Sequence, residues 1–66
     1  MNPLNINEAL ILLEDGNIIY TIFAKRKTFI KLKNNKYFIS NSQLSLVYSK
    51  DDFVNEFKDN IFYLFE

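Results

Sequence analysis

The spacing of apolar residues is helical at the start of the chain. Apolar side chains recur every three or four positions over residues 6–13, which predicts an amphipathic helix with more than one apolar neighbour. Asn5 precedes this run and Glu8 follows three positions later, a pair typical of a capping box. Gly16 stands where a helix C-terminal cap belongs. The pattern therefore predicts a short first helix that ends at Gly16.

After this helix the pattern becomes that of β-strands. Residues 18–24 (IIYTIFA) are β-branched or aromatic at nearly every position, which predicts a strand buried on both faces or lying at an interface. Residues 25–27 interrupt the run, as a loop or an exposed strand end. Residues 43–49 alternate between apolar and polar side chains, as a half-buried strand does.

The clearest β-hairpin pairs residues 28–33 with residues 36–41. The intervening Asn34 and Asn35 suit a two-residue type I′ turn, because asparagine tolerates positive φ better than other residues with a side chain. A loop of this length fixes the register and therefore divides the hairpin into two faces. One face is expected to be core and carries the pairs Leu32–Tyr37 and Ile30–Ile39. The opposite face carries the pairs Lys33–Lys36, Lys31–Phe38 and Phe29–Ser40.

A second helix is predicted close to the end of the chain. Ser49 is a suitable N-cap with Asp52 in the capping-box position, and acidic residues in a first turn are favoured by the helix dipole. Phe53, Phe57 and Ile61 are expected to form the apolar stripe of this helix, together with Val54.

The last apolar run, residues 61–65 (IFYLF), is predicted to be a strand, since it is aromatic and follows Asn60, a plausible helix stop. The element order is then α-β-β-β-β-α-β. This order predicts a single small α+β domain over residues 1–66, with an antiparallel sheet of about four to five strands and two short helices.

Composition restricts the chemistry that the chain can perform. It has no cysteine and no histidine, so structural zinc, disulfides and thiol or imidazole catalysis are excluded. A pairing of Ser49 with Lys50, or of Asp51 with Asp52, is better explained by helix capping and the helix dipole. A single glycine leaves no glycine-rich phosphate loop. We expect no enzyme activity, no cofactor and no metal site.

The aromatic content predicts association. A chain of this length buries only roughly 60% of its unfolded surface, yet the sequence contains seven Phe and four Tyr. We therefore expect a homo-oligomer or a stable partner, with a compact monomer bearing exposed rings as the alternative. No signal peptide or membrane-spanning segment is predicted, and a cytoplasmic location is expected.

Charge is balanced overall but unevenly distributed. Eight basic residues cancel eight acidic ones, while residues 25–36 contain six basic residues and no acidic one. On the hairpin face opposite the expected core, this segment forms a candidate site for an anionic ligand or a nucleic acid, with the residues Lys31, Lys33, Lys36, Phe29 and Phe38. Two alternatives remain open. The lysines can serve solubility and edge protection, and the two phenylalanines can pack under a helix or another subunit.

Two segments resemble a family of small phage and prophage proteins. Residues 7–20 (NEALILLEDGNIIY) and residues 48–57 (YSKDDFVNEF) are similar to the opening helix–Gly–strand and to the acidic helix before the final strand of that family. The family includes the phage Thoeris anti-defence proteins, and the resemblance implies an oligomer that sequesters cyclic nucleotide-like immune signals without cleaving them. The family's basic and Trp positions in the first strand are Thr21 and Ala24 here, and its closing Asp-Trp is missing, so its pocket residues are not carried over.

The sequence thus predicts a non-enzymatic binding protein, encoded by a phage or mobile element and located in the host cytoplasm. It would inhibit a host defence system by sequestering an anionic ligand or by blocking a host protein. The alternatives are a nucleic-acid-binding module that uses the basic hairpin 25–38, and a purely structural homo-oligomer. Contact with a host protein is predicted to involve either the apolar strand face around Ile19 and Phe23 or the acidic helix residues Asp51, Asp52, Glu56 and Asp59.

Overall fold

The computed structural model describes residues 2–66 and confirms the α+β fold in the predicted element order. Five antiparallel strands form one sheet, and two helices pack on one of its faces. The elements are α1 (Ile6–Glu14), β1 (Ile18–Phe23), β2 (Arg26–Lys33), β3 (Lys36–Ser40), β4 (Ser45–Tyr48), α2 (Lys50–Phe57) and β5 (Phe62–Phe65). Within residues 2–66, no helix is long and apolar enough to cross a membrane.

The strand order in the sheet is β4-β3-β2-β1-β5. The first four strands follow one another as a meander, and α2 then carries the chain back across the sheet to place β5 beside β1. At this edge Leu4 forms an antiparallel bridge with Phe62, through reciprocal backbone hydrogen bonds of 2.8 and 2.9 Å. The two ends of the described chain therefore meet at one side of the sheet.

The caps of α1 confirm the predicted helix. The Glu8 N–H donates to the Asn5 side chain and the Asn5 N–H donates to the Glu8 carboxylate, both at 2.9 Å. At the other end Gly16 has φ +92°, a backbone conformation that would be strained in a residue with a side chain. The Gly16 N–H donates to the Leu13 carbonyl and the Asn17 N–H donates to the Leu12 carbonyl, both at 3.0 Å. These two hydrogen bonds form a Schellman motif.

The predicted hairpin register is confirmed at every pair, from Lys33–Lys36 to Phe29–Ser40. Asn34 and Asn35 have φ of 54° and 63°, as a type I′ turn requires. A second tight turn joins β1 to β2, because Ala24 and Lys25 have φ of 53° and 65°. Of the residues 25–27 that were expected to interrupt the strand run, Lys25 belongs to this turn. Strand β2 begins at the next residue, Arg26.

The second helix and the final strand are also confirmed. The Asp52 N–H donates to the Ser49 hydroxyl at 3.2 Å, and Phe53 and Phe57 are fully buried. The prediction for Ile61 is wrong: this residue follows the end of α2 and its side chain is 56% exposed. The chain leaves the helix before Ile61, so the buried place at this end of the core is taken by Phe62 from β5.

The core between the sheet and the helices contains stacked aromatic rings and two buried threonines whose hydroxyl groups are hydrogen-bonded. Tyr37 from β3 lies parallel to Phe53 from α2, with ring centroids 4.7 Å apart and planes 3° apart. Burial, with the Glu14 carboxylate as a smaller cause, raises the pKa of Tyr37 above its usual 10.0. Thr21 and Thr28 are paired across β1 and β2 and are both buried. Each hydroxyl donates to a backbone carbonyl and accepts from an asparagine amide.

Candidate functional site

The second face of the sheet is open. Side chains alternate between the two faces of a strand, so the residues that precede and follow a core residue in the same strand point away from the helices. On this open face Ile22 is 58% exposed, Val47 51% and Phe65 47%. Within residues 2–66, the expectation that residues 18–24 are buried on both faces is therefore wrong, because both helices pack on the same side. The alternative, that this strand lies at an interface, stays a prediction.

Five aromatic residues lie on the open face; we call them the aromatic patch. Their positions follow from the register of β1, β2, β3 and β5. Tyr20 packs against Tyr63 with centroids 5.3 Å apart, and Phe29 meets Phe65 edge-on at 5.1 Å. These spacings are favourable for aromatic pairs, so the rings are ordered by one another. The patch consists of Tyr20, Phe29, Phe38, Tyr63 and Phe65.

A groove crosses the open face between Phe38 on one side and Phe29 and Phe65 on the other. Its volume is about 330 Å³, at the lower end of the range for small-molecule sites. Its walls are largely apolar. Lys31 and Ser40, which carry an ammonium and a hydroxyl group, are the lining residues with polar side chains. The lining residues are Ile18, Phe29, Ile30, Lys31, Phe38, Ser40 and Phe65.

Lysines lie on the open face within and on both sides of the aromatic patch. Lys33 and Lys36 face each other at the turn between β2 and β3. Lys31 lines the groove. At the other end of β2, the Lys27 ammonium lies 4.3 Å from the centroid of the Tyr20 ring, within the range of a cation–π contact. The open face therefore combines half-buried and exposed rings with positive charge along its length.

The carboxylates lie elsewhere. Glu8 and Glu14 belong to α1, and Asp51, Asp52 and Glu56 to α2, on the side of the sheet that the helices cover. The remaining acidic residues are in the connections after the helices or at residue 66: Asp15, Asp59 and Glu66. None of them occupies an open-face position on a strand. The molecule is thus basic and aromatic on one side and acidic on the other.

The five predicted ligand-binding residues, Lys31, Lys33, Lys36, Phe29 and Phe38, are together on the open face. Within residues 2–66 no helix covers Phe29 or Phe38, because both helices pack on the opposite face, so the alternative that they pack under a helix is wrong. Whether another subunit covers them stays a prediction.

The two alternative surfaces predicted to contact a host protein differ in their exposure. Ile19 is fully buried, which contradicts its assignment to an interface; the odd positions of β1 face the helices. Phe23 is half-buried, with its ring 5.1 Å from that of Phe57. Asp51, Asp52, Glu56 and Asp59 are exposed on or after α2.

Sequence reasoning missed half of the open face. Tyr20 and Ile18 come from β1, and Tyr63 and Phe65 from β5. The pairing of these two strands joins residues more than 40 positions apart, and no local turn specifies it. The alternation within residues 18–23 would have placed Ile18 and Tyr20 on one side, but the run is apolar on both sides and gives no indication of which side is open.

The residues that line the groove suit the binding of an anion. In the part of the chain that the structure describes, no group of three or more acidic residues could hold a metal ion. Two of the lining residues, Lys31 and Ser40, have polar side chains, and an ammonium and a hydroxyl group can orient an anion. Comparison of the chain with models of known protein families, with curated proteins and with solved structures finds no match.

Proposed function

We propose that this protein is a non-enzymatic binding protein whose open face holds an anionic ligand that carries an aromatic ring, the chemistry of a nucleotide. The single observation that supports this most strongly is the groove. It has the volume of a small-molecule site, walls formed by Phe29, Phe38 and Phe65, and Lys31 among its lining residues. A base can stack on such rings, while a phosphate can pair with the ammonium group.

The pair of lysines at the hairpin turn supports the same ligand. Like charges directly opposite in a sheet are destabilising, and Lys33 and Lys36 occupy such a pair. A bound phosphate relieves this repulsion. The free energy of binding therefore includes both the contacts of the ligand and the relief of the repulsion between Lys33 and Lys36.

The resemblance to phage anti-defence proteins supplies a biological context for this proposal. In that context a phage-encoded protein inhibits host defence by sequestering a signal with nucleotide chemistry. The open groove suits sequestration, because it offers both aromatic and charged binding contacts.

Calorimetric titration tests the proposal, with adenosine monophosphate, adenosine and inorganic phosphate as probes. We expect adenosine monophosphate to bind more tightly than either fragment, since only it uses both the rings and the lysine. Lys31→Gln should weaken it by at least about fivefold, the effect of losing one charge-assisted contact. Lys58→Gln, an equal charge change after α2, should leave binding unchanged.

Two results would contradict the proposal. One is that none of the probes binds the folded protein at millimolar concentration. The other is that Lys31→Gln and Lys58→Gln weaken binding equally, which would show general charge attraction instead of a site. Circular dichroism of each variant verifies that it remains folded.

A further inference from the structure

We infer that the open face also binds single-stranded nucleic acid, along the direction of β2 from Lys33 towards Lys27. This inference rests on the proposed function, because it uses the same groove for one nucleotide of the strand. It goes further in stating that the site continues beyond the groove in both directions.

The length of the charged surface is the first argument. Six residue steps separate Lys27 from Lys33 on β2, which at about 3.3 Å per residue gives about 20 Å along the strand. A single nucleotide in the groove, with its phosphate at the end of the row near Lys31 and Lys33, leaves Lys27 at the other end without a phosphate. A chain of several nucleotides reaches Lys33, Lys31 and Lys27 together.

The distribution of the rings is the second argument. Phe38 has no ring partner within residues 2–66, while Tyr20 and Tyr63 form a stacked pair on the neighbouring strands. The patch therefore offers two separate ring surfaces, one on each side of the groove. Bases of a single strand can stack on both, and stacking of this kind tolerates any sequence.

The charge of the face argues against a second copy of the chain as the occupant. A symmetric contact of two open faces would bring the lysines of both copies together without a carboxylate from either open face. Like-charge juxtaposition of this kind disfavours association. Duplex nucleic acid is also a poor fit, because its bases are already stacked on each other and the rings of the patch would have no base to stack on.

Fluorescence anisotropy with labelled oligothymidylates of about 4 and about 12 nucleotides tests the inference, with thymidine monophosphate as competitor. We expect the longer chains to bind at least about tenfold more tightly than the monophosphate, the gain from one additional stacked base. The annealed duplex should bind more weakly than the single strand at equal salt. With four phosphates neutralised, affinity should fall about 50-fold between 50 and 200 mM salt.

Two pairs of variants locate the binding. Lys33→Gln with Lys36→Gln should lower the salt slope, and Lys50→Gln with Lys58→Gln, an equal charge change on the helical side, should not. Phe38→Leu, which keeps an apolar side chain but removes the ring, should lower the affinity for the oligonucleotides roughly tenfold. Ile11→Ala, at an exposed position of α1, is its control.

The possible failures are distinguishable. If thymidine monophosphate binds and added length gives no gain, the inference is overturned while the proposed function stands. If neither binds, both are overturned. If oligonucleotides bind but the open-face variants behave like their controls, the nucleic acid uses another surface and the inference is wrong. Formation of a dimer without nucleic-acid binding would also overturn it.

Discussion

The two faces of the sheet have nearly equal shares of the aromatic residues and use them differently. Six of the eleven rings lie on the side that the helices cover, where Phe53, Phe57 and Phe62 are fully buried. The other five form the aromatic patch, in which Phe65 remains about half exposed. The number of aromatic residues in a small chain is therefore not a measure of the size of its core. Here nearly half of the aromatic residues belong to a surface.

The two faces also treat polar groups differently. On the covered face the hydroxyls of Thr21 and Thr28 are satisfied by carbonyl and amide partners, as burial requires. On the open face Ser40, Ser45 and the lysines are exposed to solvent. The covered face is thus arranged for stability, while the open face leaves rings exposed and places two lysines opposite each other.

Truncating one phenylalanine on each face should give the largest contrast. Phe53→Ala removes a ring that contacts Tyr37, Phe57 and Phe62, and should cost about 3–5 kcal/mol of unfolding free energy. The total for a chain of this size is roughly 3–10 kcal/mol. Phe38→Ala on the open face should cost about 1 kcal/mol. Urea denaturation measures both, and equal losses would mean that the open face is covered in solution.

A polar substitution on each face gives the next contrast. Thr21→Val keeps the shape of the side chain but removes the hydroxyl that bonds the Ile61 carbonyl at 2.8 Å and the Asn60 amide at 3.2 Å. The Asn60 amide keeps its 3.5 Å hydrogen bond to the Ile22 carbonyl, but the Ile61 carbonyl loses the Thr21 donor, which should cost about 1–3 kcal/mol. Ser45→Val on the open face should be neutral or slightly stabilising, since valine favours strands. Thermal unfolding of both variants makes the comparison; a neutral Thr21→Val would show that water replaces the hydroxyl.

Local signals in the sequence were sufficient for most of the fold. Capping residues, Gly16 and the Asn34–Asn35 turn each specify a conformation within a few residues, and all three are confirmed. The Ala24–Lys25 turn was missed because neither residue type favours positive φ. Its conformation is imposed by the pairing of β1 with β2, a tertiary effect that outweighs the intrinsic preference.

The site was predictable only where one hairpin contains it. The register across Asn34–Asn35 places Phe29, Lys31 and Phe38 together without any further knowledge. The rest of the patch depends on β5 lying beside β1, and its exposure depends on which face the helices choose. Both are long-range outcomes of packing, since either side of β1 is apolar enough to be the core.

Reversing one charge at the hairpin turn should separate binding from stability. Lys36→Glu replaces the repulsion between Lys36 and Lys33 by attraction, and should raise the unfolding free energy by about 0.5–1 kcal/mol. The same change should weaken binding of an anionic ligand. Lys36→Gln should give a smaller gain, and the gain from glutamate should shrink at high salt. Chemical denaturation at low and high salt measures these differences. A loss of stability in Lys36→Glu would show that the free protein already holds an anion at this site.

The smallest effect should come from the phenol that the covered face protects. Burial raises the pKa of Tyr37 above 10.0, so the folded state holds this proton more tightly than the unfolded state does. The stabilisation is complete below the pKa of the unfolded chain and is lost as the pH rises through that of the folded protein. Unfolding free energy should therefore fall above about pH 10, and less steeply in Tyr37→Phe than in the wild type. Denaturation curves across this range, with Tyr63→Phe on the open face as the matched control, measure the slope. If both variants keep the wild-type slope, Tyr37 is not the group responsible, and its ring is more accessible to water than its place against Phe53 indicates.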